Sequence, residues 1–245
     1  MENKFSYEKL SEDILIATSE EHKFGTDAFL LADFCDVKKN DKCCDIGTGC
    51  GIIPFIWIKN KVGKKIYGLD IQENAIIQCN DSIKKLKDKI DFDFTPILQD
   101  IKDIDKLKEN ITPGSLDVVC CNPPYKTKGA GIISKTECEK IARHETLCTI
   151  DDICKSASIM LKFGGKFIVC QRPERLADVI EAMRKNGIEP KRLRFAAKNK
   201  DKAPWLFLLE GKKGSKPFMK VLPTLLTRID DKTFTEEMLK IYGKK

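Results

Sequence analysis

From about residue 42 the chain alternates short apolar runs of β-forming residues with longer stretches whose apolar positions recur every three or four residues. This rhythm predicts strands at Lys42–Ile46, Lys65–Asp70, Phe92–Leu98, Leu116–Cys121, Lys166–Gln171, Glu189–Phe195 and Trp205–Glu210. It predicts helices at Ile52–Asn60, Glu73–Lys87, Ile150–Leu161 and Glu174–Lys185. Strands that alternate with helices argue for a mainly parallel sheet covered on both faces. The last two strands are joined only by a loop and should form an antiparallel hairpin at one edge. Ahead of the sheet, Thr26 or Asp27 could cap a helix whose apolar face begins at Phe29, Leu30 and Leu31. Behind it, Pro217–Lys245 reads as a basic, partly apolar tail.

Size and composition narrow the class. A chain of 245 residues can bury one substantial core but not two large domains. Hydrophobic residues make up 42%, as in ordinary globular proteins, and charged residues 33%. Net charge is +7, and its placement says more than its total. Between Arg184 and Lys220, twelve Lys or Arg face three acids (Glu189, Asp201, Glu210), a local net of +9, so the remainder sums to −2. A polyanionic partner such as nucleic acid would explain this segment, and a Lys-rich solvated face would explain it equally.

Eleven cysteines and two histidines are present. No two cysteines form a C-x-x-C, and with only His22 and His144 as imidazole partners no metal site is expected. The adjacent pairs Cys43-Cys44 and Cys120-Cys121 lie in strand-like runs, where neighbours point to opposite faces and cannot readily share a disulfide. Cysteine therefore reads as a small core hydrophobe in a reducing compartment. With a polar N-terminus and no apolar run long enough to span a membrane, the expectation is a cytoplasmic protein without a membrane partner, monomeric.

The candidate chemistry sits at strand ends. Asp45-Ile46-Gly47-Thr48-Gly49-Cys50-Gly51 falls where the first core strand gives way to a helix. Its glycines permit a tight turn and close backbone approach to a ligand. It is not the dinucleotide fingerprint, because Ile52 stands where the last glycine would be needed. The carboxylate of Asp45 would repel a pyrophosphate but suits a cationic ligand with an ammonium group, such as S-adenosylmethionine. Asp70, in Gly68-Leu69-Asp70-Ile71, is placed to accept from both ribose hydroxyls, and Asp100 from an adenine amino group. Each acid alone could be a solvated loop residue or a cap, but together they end three successive strands and outline one pocket. Thr26 and Ile71 complete the expected cofactor set of Thr26, Asp45, Gly47, Gly49, Asp70, Ile71, Asp100 and Asn122.

Directly after the fourth core strand comes Asn122-Pro123-Pro124-Tyr125, the candidate catalytic loop. An exocyclic amine conjugated to a base is a poor nucleophile. The Asn122 side-chain oxygen and the Pro123 carbonyl can both accept from its NH2, aligning it and favouring the positive charge that develops on nitrogen. Pro123 and Pro124 fix backbone angles, and Tyr125 offers a ring for an extruded base. Read alone, the four residues could also be a chain-stopping turn.

Phe24–Ala32, Asp45–Gly51, Asp70, Asn122–Tyr125 and Ala142-Arg143-His144-Glu145 together resemble the bacterial tRNA adenine-N6 methyltransferases that act beside the anticodon of a valine tRNA. The resemblance covers nearly the whole chain, including a tail like Leu222–Tyr242. It implies a Rossmann-like class I methyltransferase fold, an α/β architecture with a seven-stranded, mainly parallel sheet and an antiparallel edge hairpin. It further implies S-adenosylmethionine as cofactor, tRNA as partner and N6-methylation of the adenosine just 3′ of the anticodon. The expected layout is a single methyltransferase domain over 1–245, with an extension over 1–40 covering the cofactor site, a core over 41–211 and a tail over 212–245. The Asn-Pro-Pro-Tyr loop is shared with DNA adenine and protein-glutamine methyltransferases, so rRNA, DNA or a protein amide stay open as substrates, as does a non-catalytic RNA-binding module. For RNA contact the candidates are Lys126, Lys128 and Arg143 in the loop after the catalytic residues, and Lys191, Arg192, Arg194 and Lys198 in the basic segment. Glu145 could simply favour a following helix start, and His144 could be structural or touch RNA.

Overall fold

The computed structural model describes residues 5–19, 22–86, 91–123 and 148–243. Pro124, Tyr125, Lys126, Lys128 and Arg143, with the rest of Arg143-His144-Glu145, lie outside the described residues, as does Lys87. A hairpin of β1 (Ser6–Lys9) and β2 (Leu15–Thr18) precedes α1 (Thr26–Phe34). Then follow β3 (Lys42–Ile46), α2 (Ile52–Lys59), β4 (Lys65–Asp70), α3 (Glu73–Leu86), β5 (Phe94–Leu98), α4 (Ile104–Asn110) and β6 (Leu116–Cys121). From residue 148 onward come α5 (Ile150–Met160), β7 (Leu161–Gln171), a 3-10 turn at Pro173–Arg175, α6 (Leu176–Lys185), β8 (Ile188–Ala197) and β9 (Leu206–Lys213). The chain ends with β10 (Lys220–Val221), β11 (Leu225–Leu226) and α7 (Glu236–Ile241).

The central sheet runs β10-β8-β9-β7-β6-β3-β4-β5, with β11 also paired to β8. β3 to β8 are parallel along this path, and β9 runs antiparallel to both β7 and β8. The seven strands expected from the sequence form the body of this sheet. The β8–β9 hairpin, however, is not the edge: β10 and β11 extend the sheet beyond β8, each parallel to it. Among the described residues the sheet therefore has nine strands. The tail is part of it, since Leu225 and Met238 are buried and Tyr242 packs edge-on against Phe29 and Phe234.

Two apolar layers sandwich the sheet. Cys43 and Cys120 point into the layer shared with α1, α2 and α3, whereas Cys44 and Cys121 point into the layer shared with α4, α5 and α6. Strand alternation thus splits each adjacent cysteine pair, as the sequence predicts. Helix α2 is apolar all round, every residue from Ile52 to Ile58 being buried, because it lies between the sheet and α1. Trp57 donates its indole N–H to the Ala32 carbonyl at 3.2 Å across that contact.

Neither Thr26 nor Asp27 is the cap of α1. Gly25 occupies the N-cap without a side-chain hydrogen bond, and Thr26 is already helical, its hydroxyl 2.9 Å from the Tyr242 phenol. Asn60 caps α2 rather than belonging to it, and Leu161 starts β7 rather than ending α5. Pro173–Arg175 forms a separate 3-10 turn, so α6 begins at Leu176.

Candidate active site

Chain order reverses between β3 and β6, and the helices α2 and α5 that follow them in the described residues pack on opposite faces of the sheet. A crevice at the carboxyl edge is the geometric consequence. A cavity of about 620 Å³ occupies that position. Its lining includes Gly47 and Gly49 after β3, Asp70 and Ile71 at the end of β4, Asp100 after β5, and Asn122 and Pro123 after β6. Residues from Gly47 to Pro123 are thereby gathered around one space, because neighbouring parallel strands all end on the same edge.

The turn after β3 is held by β4. The N–H groups of Gly47 and Thr48 donate to the Leu69 carbonyl at 2.8 and 3.0 Å, and Gly49 N–H donates to Asp70 Oδ2 at 2.9 Å. Gly47 and Gly49 have φ of +70° and +54°, a region costly to residues with a Cβ; a Cβ at Gly47 would meet nothing within 4 Å, and one at Gly49 only the His22 ring at 3.7 Å. The cradle is thus open on the cavity side. Asp70 Oδ1 accepts from Gln72 N–H at 2.9 Å, so this carboxylate ties two loops together and keeps further lone pairs for a ligand.

Asp45 lies one layer deeper. It is 1% exposed and does not line the cavity. The Cys120 thiol donates to its Oδ1 at 3.4 Å, and the Thr48 hydroxyl lies near it without meeting hydrogen-bond geometry. Burial pushes the Asp45 carboxyl up to about 7; Thr48 and Cys120 oppose this, and the Asp70 charge adds to it. Thr26 is likewise outside the cavity lining, paired with Tyr242.

Several lining residues carry no signal in the sequence. His22 and Lys23 reach the cavity from the segment before α1, Gln171 from β7, Arg175 from the 3-10 turn and Cys148 and Thr149 from the entry to α5. None is a strand-end acid or part of a glycine turn. Gln78 on α3 fixes the His22 segment, its amide donating to the Ala17 and His22 carbonyls at 2.6 and 3.2 Å. The His22 ring is buried, and its Nδ1 has no hydrogen-bond partner among the described residues. A buried polar atom left unpaired costs about 1–3 kcal/mol.

Of the residues expected to touch RNA, the four that fall in the described residues are engaged within the protein. Lys191 donates to the carbonyls of Lys216 and Pro217, both at 3.1 Å. Arg192 pairs with buried Glu210 at 2.7 Å, donates to the Phe34 carbonyl and stacks over the Phe34 ring. Arg194 meets Glu237 with two bonds of 2.7 and 3.0 Å, and Lys198 meets Asp231 at 2.6 Å.

A methyltransferase-domain family model matches residues 37–211, which span β3 to β9 and the strand-end loops just described. The chain belongs to the methyltransferase domain family. Among the relatives of this methyltransferase, a protein of Phocaeicola vulgatus named tRNA1(Val) (adenine(37)-N6)-methyltransferase is 31% identical over 150 residues, 60% of this chain and 58% of that protein. A Trichodesmium erythraeum protein of the same name is 26% identical over 222 residues, 89% of this chain and 87% of that protein. The chain thus spans less than two thirds of the first relative and most of the second. Among solved structures, a predicted O-methyltransferase from Agrobacterium tumefaciens superposes with a TM-score of 0.69 at 16% identity, covering 89% of this chain and 95% of the other. A geranyl diphosphate C-methyltransferase from Streptomyces coelicolor A3(2), solved with S-adenosyl-L-homocysteine, gives 0.55 at 13% identity over 76% of each chain. These superpositions establish the class I methyltransferase fold.

Proposed function

We propose that this methyltransferase moves the methyl group of S-adenosylmethionine to the exocyclic N6 of an adenine in tRNA, the adenosine 3′ of the anticodon of a valine tRNA. One observation carries the reading: Asn122 and Pro123 close the same cavity that Gly47, Gly49, Asp70 and Asp100 open. The names of the relatives support the choice of nucleic acid.

The cavity suits the cofactor. The open glycine cradle and the spare lone pairs of Asp70 and Asp100 are partners for its amino-acid, ribose and adenine parts. When bound, S-adenosylmethionine supplies an electrophilic methyl group on a sulfonium. The chain's own residues do the rest. Asn122 Oδ1 and the Pro123 carbonyl accept the two amine hydrogens, hold the nitrogen lone pair toward the methyl group and stabilise the charge that grows on nitrogen. No dedicated base is required at the transfer step, because the methylated ammonium deprotonates afterwards. The enzyme acts as a cytoplasmic monomer in this reading, and no described helix is long and apolar enough to cross a membrane.

The test is transfer of radiolabel from methyl-labelled S-adenosylmethionine to four acceptors: unmodified total tRNA, ribosomal RNA, duplex DNA and a protein extract. Label confined to tRNA supports the reading. Label only in DNA or protein would replace it with one of the other substrates of the Asn-Pro-Pro-Tyr loop, and no label anywhere would leave a binding module.

A further inference from the structure

Strands β6 and β7 are neighbours, with Cys120 beside Ile168 and Cys121 beside Val169. One step on, Asn122 leaves β6 next to Cys170 of β7, and both side chains lie on the α1–α3 face of the sheet. The Cys170 thiol donates to Asn122 Oδ1 at 3.1 Å. Cys170 is fully buried, packed in the apolar layer shared with α1, α2 and α3.

We propose that Cys170 is a positioning residue for methyl transfer, its thiol fixing which end of the Asn122 carboxamide faces the substrate amine. The inference rests on the function proposed above. A carboxamide keeps its shape when rotated by half a turn, but its two ends differ chemically: the oxygen accepts and the NH2 only donates. Transfer to an amine needs the oxygen in place. The wrong rotamer would set two N–H donors against the amine hydrogens and abolish the charge stabilisation. An S–H group breaks this symmetry. It donates well to the oxygen and is a weak acceptor for the NH2, so it favours the rotamer in which the oxygen is pinned. A carboxamide oxygen has two lone pairs, so accepting from the thiol does not by itself bar it from accepting from the substrate amine. No sequence pattern marks the pair, since a cysteine in an apolar strand reads as core and these two residues stand 48 positions apart.

The experiment compares the unmutated protein, Cys170→Ala, Cys170→Ser and Asn122→Ala. In Cys170→Ala, kcat for methylation of unmodified tRNA should fall about five- to tenfold, with KM for RNA and calorimetric affinity for S-adenosylhomocysteine unchanged. Cys170→Ser retains a donor and should recover most of the rate. On an Asn122→Ala background, Cys170→Ala should have no further effect. The S–H stretching band that Cys170→Ala removes from the infrared spectrum should shift to higher frequency in Asn122→Ala, a readout independent of activity. A normal rate in Cys170→Ala, equal losses in the Ala and Ser variants, or an unmoved S–H band would overturn the proposal. If the band shifts but the unmutated protein methylates no adenine, the hydrogen bond exists and the proposed function is what fails, taking the positioning role with it.

Discussion

Asp45 shows how burial sets the chemistry of a single residue. Its carboxyl holds its proton up to about pH 7 in the folded protein, whereas in an unfolded chain it would ionise near its ordinary value of 3.8. Between those values the folded state binds more protons than the unfolded state, so the Asp45 contribution to stability falls as pH rises from about 4 to about 7. Asp45→Asn should flatten that slope, read as the difference between urea midpoints of the two proteins across the window. Parallel curves would mean that the carboxyl titrates normally. Asp70 has a different environment and a different prediction. It braces the glycine turn and faces the cavity, so Asp70→Ala should weaken S-adenosylhomocysteine binding in calorimetry by at least tenfold, while Asn122→Ala should bind it almost normally. A normal affinity in Asp70→Ala would place the ligand elsewhere.

The glycine turn and its helix are the element on which the site depends. Gly51 is the N-cap of α2 at φ +79°, and a Cβ there would meet Cys79 Sγ at 3.0 Å and the Phe55 ring at 3.1 Å. At Gly47 the same strain applies but the space is open. Gly51→Ala should therefore lower the melting temperature clearly more than Gly47→Ala, the latter costing about 1 kcal/mol for backbone strain alone. Equal shifts by calorimetry would show that the α2–α3 packing yields to an added methyl. The turn was legible in the sequence because glycine spacing, strand end and helix start coincide there. Helix α4 was not: Ile104–Asn110 is charge-rich and buries only Leu107. The β1–β2 hairpin was equally silent, since Ser6–Lys9 is exposed along its whole length and shows no alternation. β10 and β11 have two residues each, too few for any periodicity.

At the scale of the whole molecule, the parallel core was readable because each strand is a compact apolar run, and the pocket because Asp70 and Asp100 stand at two strand ends, while Asp45 lies beneath it. The outer parts of the sheet and the fate of the basic segment depend on pairings distant in sequence. Arg192 illustrates this: beside Glu210 and Phe34 it is a structural ion pair, and Arg192→Ala would strand a buried carboxylate. Lys198 and Asp231 form an exposed pair of the kind worth about 0–1 kcal/mol, which a phosphate could displace. Lys200 and Lys202, in the turn between β8 and β9, are exposed at the same sheet edge as the cavity. Neutralising Lys198, Lys200 and Lys202 together should reduce the slope of log affinity for tRNA against log salt by about one unit for each lysine that pairs with a phosphate, with cofactor affinity intact. An unchanged slope would move the RNA surface away from this edge.

The proposed mechanism centres on Asn122, which lines the cavity and in that reading directs a methyl group to the N6 of adenine. Mass-spectrometric analysis of nucleosides from unmodified tRNA, after incubation with S-adenosylmethionine and either the unmutated protein or Asn122→Ala, tests that role most directly. The expected methylated product of the unmutated protein is N6-methyladenosine, with a yield at equal times lower by about a hundredfold or more in the variant. A ring-nitrogen or ribose methylation product, or equal yields of N6-methyladenosine from both proteins, would contradict it.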